Sequence, residues 1–149
     1  MIKSRLDFTL KKYDNFCKTI IKQDYTALTV YEWIIQKERK SSDKKIILRH
    51  DVDRFPNQAK KLAYIENENN IKSSYYFRIP SSWNPKIIEQ ISSLGHEIGL
   101  HYECLDKARG DVDVAAEFLE KDLCKIRKVA PVNTISMHGN PLTKFDFSK

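Results

Sequence analysis

From Lys45 onward the chain alternates short apolar runs with amphipathic helical stretches, the pattern of βα units whose strands lie parallel in a mostly parallel sheet. Four such units can be read. The first strand covers Lys45 to His50 around an Ile-Ile-Leu run, followed by Asp51-Val52-Asp53 and a helix begun by Pro56 and carried by Ala59, Leu62 and Ala63. The second, Ser73 to Ile79, is rich in aromatic residues and stops at Pro80. Asn84-Pro85 then caps a helix whose Ile87, Ile88, Ile91 and Leu94 face inward until Gly95 ends it. Strand three is Glu97 to His101; a longer loop, Tyr102 to Gly110, leads to a helix over Val112 to Val129. Strand four, Asn133 to His138, is closed by Gly139-Asn140-Pro141.

Residues 1–44 read as an N-terminal helical extension to this α/β part, which runs over 45–149. Tyr13, Phe16, Cys17, Ile20 and Ile21 share one face of a helix from about Thr9 to Lys22. After a short run over Thr26 to Thr29, Tyr31 to Ile35 is again amphipathic, and the polar Gln36 to Asp43 stretch serves as linker.

Composition narrows the classes. With 149 residues the chain has the length of one ordinary domain, and its 41% hydrophobic and 31% charged residues suffice for a core. Apolar runs such as Ile46-Ile47-Leu48 fall far short of the ~20 residues that span a bilayer, so no membrane segment is expected. Met1 to Asp7 lack the apolar stretch of a secretory signal, which predicts a cytoplasmic protein. Three cysteines, Cys17, Cys104 and Cys124, are an odd and scattered set without a C-x-x-C pair; reduced thiols are expected and a zinc ribbon is not. The formal charge is +6, but lysines are mixed with acids along the whole chain and no nucleic-acid-binding signature accompanies them, so nucleic acid is not an expected partner.

In parallel α/β folds ligands sit outside the carboxyl ends of the strands. Asp51 and Asp53 stand at the first of these ends, Arg78 at the second, His101 at the third and His138 at the fourth. Two residues apart on an extended segment, Asp51 and Asp53 point to one side, and two such close charges call for a cation. In one arrangement Asp53 holds a divalent metal while Asp51 stays free to accept a proton from water activated by the ion. Alone, the pair also suits two solvent-facing carboxylates that cap the next helix. With His101 and His138 it becomes a carboxylate and two imidazoles with open positions, a set that suits catalytic zinc and also describes non-haem iron. His50 points away from Asp51, as a support for the site or a structural residue; His96, at the start of its strand, reads as structural. Glu103 is either a further ligand or acceptor at the site or an exposed loop acid. Arg78 and Arg54 are placed to meet an anionic substrate group or to balance the carboxylates.

The strings Leu48-Arg49-His50-Asp51-Val52-Asp53, Gly95-His96-Glu97-Ile98-Gly99-Leu100-His101 and Ser136-Met137-His138-Gly139-Asn140-Pro141 together resemble the polysaccharide deacetylase, or NodB-homology, family, in a divergent form. The resemblance implies a deformed (β/α) barrel, removal of N- or O-acetyl groups from amino sugars, Asp51 as the base, and Asp53 and His101 as metal ligands. The family usually carries a second ligand histidine four residues after the first, where this chain has Leu105; His138 is expected to replace it. The resemblance runs only from about Lys45 to Pro141 and reaches four strands, where such a barrel needs seven or eight. The chain is then either the front part of a longer protein or an open half-barrel completed by a partner, a second copy included.

These readings imply a metal-dependent deacetylase-like hydrolase acting on acetylated carbohydrate, with zinc as the expected ion. The later strands normally bring the general acid, so weak or absent turnover is expected of this chain alone. Two rival readings remain: a non-catalytic module that binds carbohydrate or a partner through Tyr75, Tyr76, Phe77 and Trp83, and an amidohydrolase acting on small cyclic amides.

Overall fold

The structure is a computed structural model that describes residues 8–37 and 42–139. Part of the expected linker and the Asn140-Pro141 stop therefore lie outside the described residues. Helix α1 (Leu10–Lys22) starts on Thr9, whose hydroxyl accepts from the Lys12 amide at 3.2 Å, and buries Tyr13, Cys17 and Ile20. Strand β1 (Thr26–Leu28) leads to α2 (Val30–Ile35), which opens on a reciprocal Thr29–Glu32 capping box. Then follow β2 (Lys45–Ile47), β3 (Arg49–Val52), α3 (Pro56–Glu68), β4 (Ser74–Phe77), α4 (Pro85–Ser93), β5 (Glu97–Tyr102), α5 (Cys104–Lys107), α6 (Val112–Arg127) and β6 (Val132–Met137).

Among the described residues all strand pairs are parallel, in two sheets: β1-β2, and β3-β4-β5-β6 in chain order. The expected first strand, 45–50, is thus two strands in different sheets. The change occurs at Leu48, whose carbonyl accepts from the Ser74 amide at 3.0 Å, so the chain has exchanged β1 for β4 as its neighbour. The expected loop over 102–110 contains the short helix α5. Among the described residues no helix is long and apolar enough to cross a membrane.

Strand alternation gives the larger sheet two unlike faces. Val52, Tyr75, Phe77, Ile98, Leu100 and Val132 pack against Ala59 and Ala63 of α3, Ile87, Ile88 and Ile91 of α4, and Ile126 of α6. Each fully buried isoleucine there contributes about 1.5–3 kcal/mol. A second cluster joins Tyr13, Cys17 and Ile20 of α1 to Ile71, with Ala27, Ile46, Leu48, Leu62 and Ile65 around it.

The opposite face is polar, carrying Arg49, Asp51, Ser74, Tyr76, Glu97, His101, Thr134 and Ser136. A bulge between β5 and β6 sets Val132 opposite Ile98 but Ile135 opposite Leu100, an extra residue on β6. Val132 therefore faces the helices, while Thr134 and Ser136 turn to the polar side, which aims His138 the same way. The Tyr76 ring occupies the space beside Gly99 where a Cβ would stand, and its hydroxyl meets Thr134 Oγ1 at 2.7 Å. Laid flat, a four-stranded sheet would separate its edge strands by about 14 Å. Yet Arg49 of β3 donates to Ser136 Oγ of β6 at 2.6 Å. The sheet curls with its polar face concave, so that side chains from its two edges meet.

Candidate metal centre

Three strand ends converge on this concave side. Asp53 follows β3, His101 lies near the end of β5, and His138 follows β6, where its amide donates to the Tyr102 carbonyl at 2.7 Å and extends the ladder by one residue. His138 Nδ1 is 3.1 Å from His101 Nε2 and 3.2 Å from Asp53 Oδ1; His101 Nε2 is 3.7 Å from the same oxygen. The point in their plane equidistant from the three atoms lies about 1.9 Å from each, so a position just off that plane meets all three at the ~2.0–2.2 Å at which such donors bind zinc.

The chemistry of the donors agrees with the geometry. His101 Nδ1 is 3.1 Å from the Ser136 carbonyl, which only accepts, so Nδ1 carries the hydrogen and Nε2 presents its lone pair. Burial pushes the His101 imidazole below its ordinary range, although the charge of Asp51 pulls the other way, and the neutral form is the ligating one. Asp53 Oδ1 is buried without a hydrogen-bond partner, a costly state for a carboxylate oxygen unless a cation faces it. Asp53, His101 and His138 thus fit a divalent cation.

Asp51 lies on the same face, outside this triangle. Arg49 grips it bidentately, Nε to Oδ1 at 2.8 Å and a terminal nitrogen to Oδ2 at 2.9 Å, and stacks over the Tyr76 ring at 4.9 Å. Sequence reasoning passed over Arg49, although its place two residues before Asp51 puts both on one face. Glu103 is not at the triangle: it pairs with Arg78 and lies 3.7 Å from Lys107. Arg78 is accordingly an ion-pairing residue; Arg54 is exposed, and Leu105 is buried in a cluster with Cys104 and Ala115. Tyr75, Tyr76 and Phe77 are buried and offer no open aromatic surface, while Trp83 is half-buried against the core with Lys125 Nζ over its ring at 4.5 Å.

A second polar cluster lies across the sheet, around Glu66 of α3, which is 0% exposed. His50 Nε2 is 2.6 Å from Oε1, to which the Tyr13 hydroxyl also donates; Ser73 and Tyr75 donate to Oε2, each at 2.5 Å. His96 is locked beside it, Nε2 donating to the Ala63 carbonyl at 3.0 Å and Nδ1 accepting from the Ser73 amide at 3.2 Å. Both histidines are thus held away from the metal centre. Glu66 was not singled out from the sequence, but its spacing from Ala59 and Ala63 on the buried face of α3 was a readable signal.

Comparison with family models, with curated proteins and with solved structures found no match to the chain.

Proposed function

We propose that the chain is a metal-dependent, deacetylase-like hydrolase, with zinc held by Asp53, His101 and His138 and an acetylated amino sugar as substrate. The observation that carries the reading is the triangle of donor atoms that includes Asp53 Oδ1, buried and without a hydrogen bond, beside a second carboxylate on the same face. Bound there, the ion supplies Lewis acidity, which makes water acidic and polarises an amide carbonyl. Asp51 holds the proton taken from water; Arg49 fixes its carboxylate and, through Ser136, ties it to the far edge of the sheet. The Ser136 carbonyl orients His101. The curled sheet reads as the opening part of a (β/α) barrel, with the strand ends as its mouth. The departing amine needs a proton, and we assign no general acid among the described residues, so slow turnover is expected.

Purified chain, metal-analysed after dialysis, is expected to carry about one zinc per chain, lost in His101→Ala and His138→Ala. Deacetylation of chitooligosaccharide, however slow, is expected to vanish in Asp51→Asn. Folded protein that takes up no divalent metal would end the reading. The grip of Arg49 on both oxygens of Asp51 favours a second reading, a metal-dependent binding module without turnover. It predicts zinc and glycan binding with no acetate released.

A further inference from the structure

Phe55 breaks three local rules at once. It is the N-cap of α3, yet offers no side-chain oxygen to the helix, whereas α1, α2, α4 and α6 start on Thr9, Thr29, Asn84 and Asp111, each of which accepts a hydrogen bond there. Its backbone is left-handed, φ 56° and ψ 57°, a conformation suited to glycine or asparagine and poor for a bulky side chain. The residue is 73% exposed. Local structure alone would place Gly, Asn or Asp here. Breaches of this kind gather where function compensates for them, and this one lies two residues past Asp53 of the metal centre.

We propose that Phe55 is a stacking platform for a sugar ring at the mouth of the metal centre. The inference rests on the carbohydrate reading above and adds a residue that contacts substrate. Two residues of chain keep the Phe55 Cα within ~7 Å of the Asp53 Cα, so the phenyl and the ion site lie within the reach of one short oligosaccharide. The phenyl is flat and apolar, and the C–H face of a pyranose covers such a surface without asking it for hydrogen bonds. The side chain stands in solvent and not in the core, where a phenylalanine otherwise goes.

The test titrates N,N′,N″-triacetylchitotriose into the zinc-loaded full chain by calorimetry. Phe55→Gly and Phe55→Asn relieve the backbone, so both are expected to melt at or above the wild-type temperature and to bind zinc unchanged. Both are expected to bind the trisaccharide at least about tenfold more weakly, while Phe55→Trp stays within about threefold. Undiminished trisaccharide affinity in Phe55→Gly overturns the platform and leaves the deacetylase reading standing. A wild-type chain that binds zinc but not the trisaccharide overturns the carbohydrate reading and the platform together.

Discussion

Gly99 shows how a single missing methyl supports the site. A Cβ there would lie 2.4 Å from two ring carbons of Tyr76 and 3.1 Å from the Thr134 carbonyl, so the tyrosine lies across the sheet only because residue 99 has no side chain. Gly99→Ala is expected to cost about 1–3 kcal/mol in urea unfolding. In a Tyr76→Ala background, where the ring is gone, the same change is expected to cost much less, and a simple sum of the two single effects would refute the contact. The metal centre separates residues in the same way. Asp53→Asn is expected to weaken zinc binding by at least about a hundredfold, whereas Asp51→Asn, acting on His101 only through its charge, is expected to cost about tenfold at most in competition with a chromogenic chelator. The period of two made the Asp51 and Asp53 pair legible in the sequence. Arg49 obeys the same period but was not read, because an arginine on a strand carries no signal of the partner it grips.

Among the elements, α1 and α3 are joined through Glu66. Burial drives its carboxyl up, but hydrogen bonds from His50, Ser73 and Tyr13 and the charge of His50 outweigh this, and it ends below its usual value. Tyr13 and Tyr75 are pushed well above theirs by burial and then by Glu66, so both phenols remain donors. His96 is pushed below 6.5, mainly by burial. As pH falls through about 6.5 the unfolded chain takes up the His96 proton before the folded one, and below about 4.5 the same holds for Glu66. Both contributions are intact above those values and lost on the acid side. Urea midpoints are expected to drop from pH 7.5 to pH 5 and more steeply towards pH 3.5. Glu66→Gln, whose amide turns a donor towards hydroxyls that need an acceptor, is expected to cost on the order of 3 kcal/mol at neutral pH and to flatten the fall below pH 5. An unchanged slope would remove Glu66 from the account. Most helix limits were legible, since caps such as Asn84-Pro85 and Gly95 act locally. The division of 45–50 into two strands was not, because an Ile-Ile-Leu run does not say which strand lies beside it, and the four residues of α5 are too short for a periodic pattern.

Across the whole molecule, the candidate metal centre draws its donors from the two edges of the larger sheet. Asp53 follows β3 and His138 follows β6, the first and last strands, and their donor atoms are 3.2 Å apart. Strand exits made the three residues legible as candidates, but the curl that unites them comes from the bulge in β6 and from cross-sheet contacts such as Arg49 with Ser136, for which the pattern of apolar residues has no sign. An ion bound there would crosslink elements far apart in sequence and would stabilise the folded state alone. Zinc at a hundred times its dissociation constant adds about 2.7 kcal/mol to stability. For a chain of this size that corresponds to a rise in melting temperature of roughly 5–10 °C. The shift is expected to reverse with EDTA and to be absent in His101→Ala and His138→Ala. Among the described residues neither β3 nor β6 has a further neighbour in the sheet, a state that promotes association between chains. By holding the edges together, zinc should also lower light scattering on heating. Equal scattering with and without zinc, beside a normal thermal shift, would show that the ion stabilises its ligands without closing the sheet.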